Sequence, residues 1–111
     1  MIRRMKQTAL SLLVVLIQAC NPPVANFVFS DKTPHVGQTV HLNDRSVYEP
    51  NAWEWSIEPQ YFDYLDGTNF DSKDLSIEFK AGGLYSVTLQ VWNSHGTDIQ
   101  QKYIKVLNGK N

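Results

Sequence analysis

Residues 81–96 read AGGLYSVTLQVWNSHG, and the fold follows from the pattern inside this stretch. After the glycine pair, apolar side chains occupy every second position, at Tyr85, Val87, Leu89 and Val91. In a β-strand, successive side chains point to opposite faces, so residues at every second position share one face. The asparagine and glycine of residues 93–96 are typical of a tight turn. The stretch therefore predicts a long strand, buried on one face, that ends in a hairpin.

The same alternation continues in both directions along the chain. Five further segments alternate apolar with polar residues, around Phe27, Val40, Trp55, Ile77 and Ile104. Turn residues separate the segments at spacings of roughly 8 to 12 residues, as in two-sheet sandwiches. No segment has the 3.6-residue period and the caps of a helix. The sequence thus predicts an all-β, immunoglobulin-like two-sheet antiparallel β-sandwich of six or seven strands over residues 25–108.

Length and composition limit the class of protein. The chain has 111 residues, 42% of them hydrophobic and 19% charged, which is one globular domain rather than a disordered or collagen-like chain. Arg3, Arg4 and Lys6 precede every acidic residue, so removal of residues 1–19 leaves a formal charge of −4. Nucleic-acid binding needs a clustered basic face. We therefore expect no nucleic-acid partner.

The N-terminal 19 residues have the pattern of a targeting segment. Three basic residues precede an apolar run of nine, Ala9 to Ile17. This order is typical of a secretory signal, and such a run rises only ~14 Å as a helix against a hydrocarbon core of roughly 30 Å. Two alternatives stay open: a short uncleaved anchor, and an ordinary signal peptide cut after Ala19 that leaves Cys20 as a thiol.

Cys20 is the single cysteine of the chain, so it has no partner for an intrachain disulfide. Residues 16–20, LIQAC, resemble the lipobox of bacterial lipoproteins, although Gln18 departs from the small residue usual there. The resemblance implies that the Cys20 thiol receives diacylglycerol and that its amine is then acylated, for example with palmitate. Two or three acyl chains hold a protein on a bilayer. We therefore expect anchoring to a membrane through N-terminal acyl chains.

Residues 20–24 form the predicted tether between lipid and fold. By resemblance to Gram-negative sorting, Asn21 in place of an aspartate points to the outer membrane. Pro22 and Pro23 favour extended backbone, so we expect a short, stiff spacer. Residues 109–111 are predicted to be a C-terminal tail.

Residues 25–107 resemble the PKD family of extracellular immunoglobulin-like domains. The resemblance lies in Ala25-Asn26-Phe27, in WEWSI at 53–57 and in the stretch 81–96. It implies a tyrosine corner at Tyr85 and a buried core tryptophan at Trp55. It also implies a turn at Asn93 and Gly96 that needs positive φ. We expect Trp55, Tyr85, Val87 and Leu89 to form the structural core.

The chain departs from the family after the tryptophan strand. Many members have a glycine, aspartate, glycine turn there, whereas this chain has Glu58-Pro59-Gln60 and a longer segment. That segment is similar to a variant form of the family with an added strand, here Phe62-Asp63-Tyr64.

Candidate chemistry is sparse in this sequence. Four aspartates lie within twelve residues, at Asp63, Asp66, Asp71 and Asp74, but they lack the spacing of an EF-hand. A solvated acidic loop is the simpler interpretation, and calcium binding stays open. His35, His41 and His95 lack paired metal spacing, and no motif selects a Ser, His and Asp set. We expect no metal, no cofactor and no enzymatic activity.

Two aromatic residues are the candidate binding residues. Trp92 and Tyr103 fall on the face opposite the core, and we expect them to be neighbours on adjacent strands. The alternative for Trp92 is that it covers the aliphatic stems of Lys102 and Lys105. Loop aromatics form a second patch or a satellite core: Tyr48, Tyr61, Phe62 and Tyr64.

The sequence supports one main functional hypothesis and one alternative. The first is a lipid-anchored, non-catalytic protein-interaction or accessory module of the cell envelope. The alternative is a carbohydrate-binding module that uses exposed aromatic residues. The partner is accordingly an envelope protein or a glycan of unknown identity.

Overall fold

The computed structural model describes residues 20–109, and seven β-strands account for most of them. The strands are β1 Phe27–Phe29, β2 Thr39–Asp44, β3 Ala52–Glu58, β4 Phe62–Tyr64, β5 Leu75–Phe79, β6 Gly83–Asn93 and β7 Gly96–Val106. No helix occurs within 20–109, which confirms the all-β prediction. The predicted signal segment, 1–19, lies outside the described residues.

The strands form two antiparallel sheets that pack face to face. One sheet has the order β1-β2-β5-β4 and the other the order β3-β6-β7. The hairpin of β6 and β7 is paired without a break from Asn93 opposite Gly96 to Gly83 opposite Val106. The added strand predicted at 62–64 is present as β4, at the edge of the four-stranded sheet. The prediction of an immunoglobulin-like sandwich is confirmed.

The core follows from the alternation along the strands. Tyr85, Val87 and Leu89 of β6 are buried, as is Trp55 of β3, which is 3% exposed. They meet a set of buried residues from the other sheet, namely Phe27, Val40, Leu42, Leu75, Ile77 and Phe79. Burial of one such side chain contributes about 1.5–3 kcal/mol, so this layer supplies most of the driving force for folding.

Tyr85 forms the predicted tyrosine corner. Its hydroxyl donates to the carbonyl of Ala81 at 2.7 Å, and its ring packs on Phe79 with 4.5 Å between ring centroids. Burial raises the pKa of Tyr85 above its ordinary value. The phenol is therefore held neutral as a donor.

The turn between β6 and β7 differs in part from the prediction. Gly96 has a φ of +156°, but Asn93 is not among the residues with positive φ. The Asn93 side chain shapes the turn instead, because its Oδ1 accepts the backbone N–H of His95 at 2.8 Å. An asparagine can thus direct a turn through its amide rather than through left-handed backbone.

The inner face of β7 carries charged residues at the end near β1. Asp98 accepts the backbone N–H of Ala25 at 2.8 Å, and the Lys102 ammonium donates to the carbonyl of Phe27. The ammonium also lies 5.0 Å from the Phe27 ring centroid. The two charges therefore bind the β1 segment to β7 through side chains, in place of a backbone ladder.

Replacement of the core tryptophan is expected to be severe. Trp55→Ala removes a buried ring that packs edge-on to Phe27, and the resulting cavity should cost roughly 3–5 kcal/mol of unfolding free energy. Leu84→Ala, at a highly exposed position of β6, is the control and should change stability by less than about 0.5 kcal/mol. Urea unfolding measures both. A loss of unfolding free energy in Trp55→Ala no larger than that in Leu84→Ala would contradict the placement of Trp55 in the core.

The tyrosine corner predicts a specific alkaline sensitivity. Because the folded pKa of Tyr85 is raised, its stabilising effect is present below the unfolded pKa of about 10 and is lost as the pH rises through the folded pKa. Tyr85→Phe should cost about 1 kcal/mol at neutral pH, and its deficit against the wild type should shrink above pH ~10. Urea titrations at both pH values measure this. A deficit of Tyr85→Phe that stays constant from neutral to alkaline pH would refute the assignment.

Candidate functional site

A cleft of about 430 Å³ opens between the edges of β3 and β4. Four aromatic residues, Trp55, Phe62, Tyr64 and Phe70, line it together with Gln60 and Gln90. The rings of Phe62 and Tyr64 meet edge to face, with 5.1 Å between their centroids. Burial raises the pKa of Tyr64, so its phenol stays a neutral hydrogen-bond donor at physiological pH. The cleft combines apolar area with neutral polar groups and one acidic residue, Glu54.

Backbone of β3 forms one border of the cleft. The backbone N–H of Trp55 donates to the carbonyl of Phe70 at 2.7 Å, so it points away from the neighbouring strand β6. Backbone groups of a strand alternate in direction, so the N–H and C=O of Ile57 point the same way as those of Trp55. Within residues 20–109, Ile57 makes no backbone hydrogen bond on that side. The cleft therefore borders an open strand edge.

Trp55 also positions the aromatic wall. Its indole Nε1 donates to the carbonyl of Ser72 at 2.7 Å, next to the backbone bond to Phe70. The loop between β4 and β5 is thus attached to β3 at two points. The Phe70 ring stands at the rim with 51% of its surface exposed. Its role was missed in the sequence because Phe70 lies in a polar loop without strand alternation.

The structure separates the two aromatic residues predicted to be neighbours. Trp92 lies opposite Thr97 on β7, whereas Tyr103 lies opposite Ser86 on β6. Six residues of β7 separate these positions, which is about 20 Å along a strand. The expectation that Trp92 and Tyr103 form one patch is wrong, because alternation reveals the face of a strand but not its register.

The alternative for Trp92 is wrong as well. Lys102 lies on the inner face and bonds Phe27, while Lys105 lies opposite Leu84 at the far end of the hairpin. Neither lysine stem reaches Trp92. Trp92 is partly buried, opposite Ala52 of β3.

Tyr103 borders a different hollow. This hollow of about 500 Å³ lies between β1 and β7, and Val28, Phe29, Lys32 and Lys102 line it with Tyr103. Tyr103 is 63% exposed. The hollow is on the opposite edge of the sandwich from the β3–β4 cleft, so one ligand of modest size cannot contact both.

The loop aromatics divide among three places. Phe62 packs against the core, as the satellite-core interpretation expects, and it also lines the cleft with Tyr64. Tyr61 is exposed outside the cleft. Tyr48 lies at the other end of the molecule, beside Asn21.

The acidic loop is spread out in space. Asp63 pairs with Lys80 at 3.1 Å, and Asp74 accepts the backbone N–H of Asp44 at 2.8 Å. Asp66 has left-handed backbone in a turn, and Asp71 is exposed. No group of three side chains suited to hold a metal ion occurs between residues 20 and 109.

One serine and one histidine contact each other on the four-stranded sheet. His41 Nδ1 lies 2.9 Å from Ser76 Oγ, on paired positions of β2 and β5. Ser76 is buried, and the Thr68 hydroxyl accepts its backbone N–H and donates to its carbonyl. This geometry holds the loop against the sheet.

Cys20 stands exposed at the start of the described chain. Between residues 20 and 109, the structure contains no helix with the length and apolar character needed to cross a membrane.

Comparison with known proteins gives a family match and several similar folds. The model of the PKD domain family matches residues 20–106. The PKD1 domain of the Vibrio cholerae metalloprotease PrtV is 27% identical, with a TM-score of 0.54, over 77% of this chain and 96% of that chain. The PKD1 domain of Vibrio anguillarum Epp is 23% identical, with a TM-score of 0.57, over 78% of this chain and 95% of that chain.

A third similar structure comes from work on carbohydrate-binding modules of the beta-sandwich superfamily. It is 25% identical with a TM-score of 0.60 and covers 83% of this chain. This chain spans 37% of that longer chain. The comparison with curated proteins found no match.

Proposed function

The chain belongs to the PKD domain family, whose members are typically non-catalytic accessory modules, and from this premise we propose that it is a lipid-anchored binding module of the bacterial cell envelope. Acyl chains on Cys20 attach it to the outer membrane. Its partner is an extended segment of an envelope protein, which binds in the β3–β4 cleft.

The open edge of β3 carries this proposal. Among residues 20–109, no backbone group pairs with the N–H and C=O of Ile57 on the cleft side, and such groups pair readily with an added strand. Strand addition draws affinity from main-chain hydrogen bonds and specificity from pockets for alternate side chains. Phe70 and Tyr64 line the same cleft and offer apolar area to those side chains.

Charge adds a preference for the partner segment. Glu54 lines the cleft and is exposed, and Glu58 is exposed at the end of the same strand. In the part of the chain that the structure describes, no lysine or arginine lines this cleft. Complementary charge favours encounter with a segment that carries basic residues.

Carbohydrate binding is the second candidate, and the lining of the cleft favours it. Aromatic rings beside amide groups, as in Tyr64 and Phe70 with Gln60 and Gln90, offer stacking surface and hydrogen bonds to a sugar. The similarity to the structure from carbohydrate-binding modules agrees with this candidate. It differs from strand addition because a sugar leaves the backbone edge of Ile57 unpaired.

The anchor is tested by replacement of the lipidated residue. Cys20→Ala should leave an unprocessed precursor or release the protein from membranes, because no thiol remains for the diacylglycerol. Fractionation with intact mass analysis of the full chain measures both effects, with Cys20→Ser as a second variant without a thiol. Membrane attachment that persists in Cys20→Ala, with a clean cut after Ala19, would contradict lipidation.

The cleft is tested by a photo-crosslinking residue placed at Phe70, with Tyr103 as the matched exposed aromatic on the opposite edge. A cleft partner should crosslink from position 70 in the native envelope and not from position 103. Phe70→Ser should abolish capture with a stability change below about 1 kcal/mol, because the carbonyl that holds Trp55 belongs to the backbone.

Amide exchange then separates the two candidates. With the purified crosslinked protein, strand addition should slow exchange at Ile57. With envelope polysaccharide, the Ile57 amide should exchange unchanged while the Tyr64 and Phe70 ring signals shift. Equal crosslinking from positions 70 and 103, with no response in the cleft to either probe, would overturn the assignment of the site.

A further inference from the structure

The tether lies against the fold instead of extending from it. The backbone carbonyl of Asn21 accepts a hydrogen bond from Nδ2 of Asn93 at 2.9 Å, and Pro23 is buried. Val24 then pairs with Val47 through two backbone bonds of 3.2 and 3.1 Å. The stiff spacer expected at residues 20–24 is therefore a docked segment, and the bond from Asn93 holds it at Asn21, the residue next to Cys20.

A glycine permits this docking. A Cβ built at Gly96 would lie 3.1 Å from the Cβ of Pro22, closer than most side-chain contacts. Gly96 also has a φ of +156°, which other residues rarely adopt. The same hairpin turn thus supplies both the amide that holds Asn21 and the space that Pro22 occupies.

The surface around the docked tether contains mainly neutral polar groups. A pocket of about 420 Å³ there is lined by Asn21, Tyr48, Glu49, Asn51, Asn93, Ser94 and His95. Tyr48 and Glu49 are consecutive non-glycine residues with positive φ, of 64° and 52°. Asn93 holds this strained loop by donating to the Tyr48 carbonyl at 2.8 Å. Such strain persists only where surrounding contacts enforce it.

The enforced conformation leaves the Tyr48 side chain 52% exposed beside Asn21. Tyrosine is enriched at membrane–water interfaces, where its ring meets apolar groups and its hydroxyl meets polar ones. One residue spans at most about 3.6 Å, so a lipid on Cys20 would hold this end of the sandwich at the headgroup layer.

We propose, on the basis of the lipidation at Cys20, that this end of the sandwich is a bilayer-facing surface and that the docked tether fixes the orientation of the domain. The occupant is the phospholipid headgroup layer. The Tyr48 loop and the β6–β7 turn contact it, and the sandwich stands with Glu58 and Gln60 at the far end.

The test uses full-length lipidated protein in vesicles of phosphatidylethanolamine and phosphatidylglycerol with a headgroup-labelled acceptor lipid. Because lipidation consumes the only native thiol, Ser94→Cys and Gln60→Cys each give a single site for a fluorescent donor. Energy transfer from position 94 should exceed that from position 60 several-fold. Equal transfer from the two sites would overturn the fixed orientation.

A linker variant tests the tether itself. A flexible Gly/Ser insertion of about ten residues between Cys20 and Asn21 keeps the contacts of Asn21, Pro23 and Val24 with the fold but frees the domain from the lipid. The difference in energy transfer between positions 94 and 60 should then collapse. The same insertion after Asn108 is the matched control and should leave the difference intact. If energy transfer still differed between positions 94 and 60 after the insertion that follows Cys20, the role of the tether would be overturned.

Failure of the underlying lipidation gives a separate signal. The chain without introduced cysteines would then react with maleimide at Cys20 and lack the mass of the acyl groups. Tyr48→Ser tests the surface: reduced transfer from position 94 supports contact of the Tyr48 loop with headgroups, and unchanged transfer overturns it.

Discussion

The attachment of Trp55 to the loop between β4 and β5 is the constraint on which the rest of the structure depends. The sandwich has a single cysteine, so no disulfide joins its sheets. Trp55 joins them instead, with its ring buried against Phe27 and two 2.7 Å hydrogen bonds to the carbonyls of Phe70 and Ser72. Hydrogen bonds from a buried group are costly to lose, so this arrangement also fixes the wall of the cleft.

The two open sides of the sandwich are closed in different ways. On one side, Asp98 and Lys102 point inward from β7 and occupy the backbone groups of Ala25 and Phe27. Inward charges on an edge strand oppose the addition of another strand. On the other side, the loop bonds the backbone of β3 at Trp55, and among residues 20–109 no backbone group pairs with the cleft side of Ile57, whose residue as a whole is 3% exposed. This asymmetry favours the β3 edge over the β7 edge as a place for strand addition.

Alternation and turn residues were sufficient to predict the strands other than β4, because a local pattern encodes their buried faces. The tyrosine corner and the added strand β4 followed from the resemblance to the PKD family. Register was not predictable in this way. Trp92 and Tyr103 share a face, but the tight turn at residues 93–96 sets them about 20 Å apart. The cleft role of Phe70 and the contact of Asn93 with the tether were missed for another reason: their partners, Trp55 and Asn21, are distant in sequence.

The docked tether links the proposed anchor to the proposed cleft. Strand β3 begins at Ala52, near the tether end, and runs toward Glu58, so Ile57 lies about 17 Å further along the strand. In the proposed orientation, the docked tether sets the height of Ile57 above the headgroups through the fold and not through a flexible linker. In a domain that tumbles on a flexible linker, the β3 edge at Ile57 would take every orientation relative to the membrane. In a domain of fixed orientation, that edge stays in a single plane. A partner held at the same membrane then meets the cleft at a constant height, which lowers the orientational cost of binding.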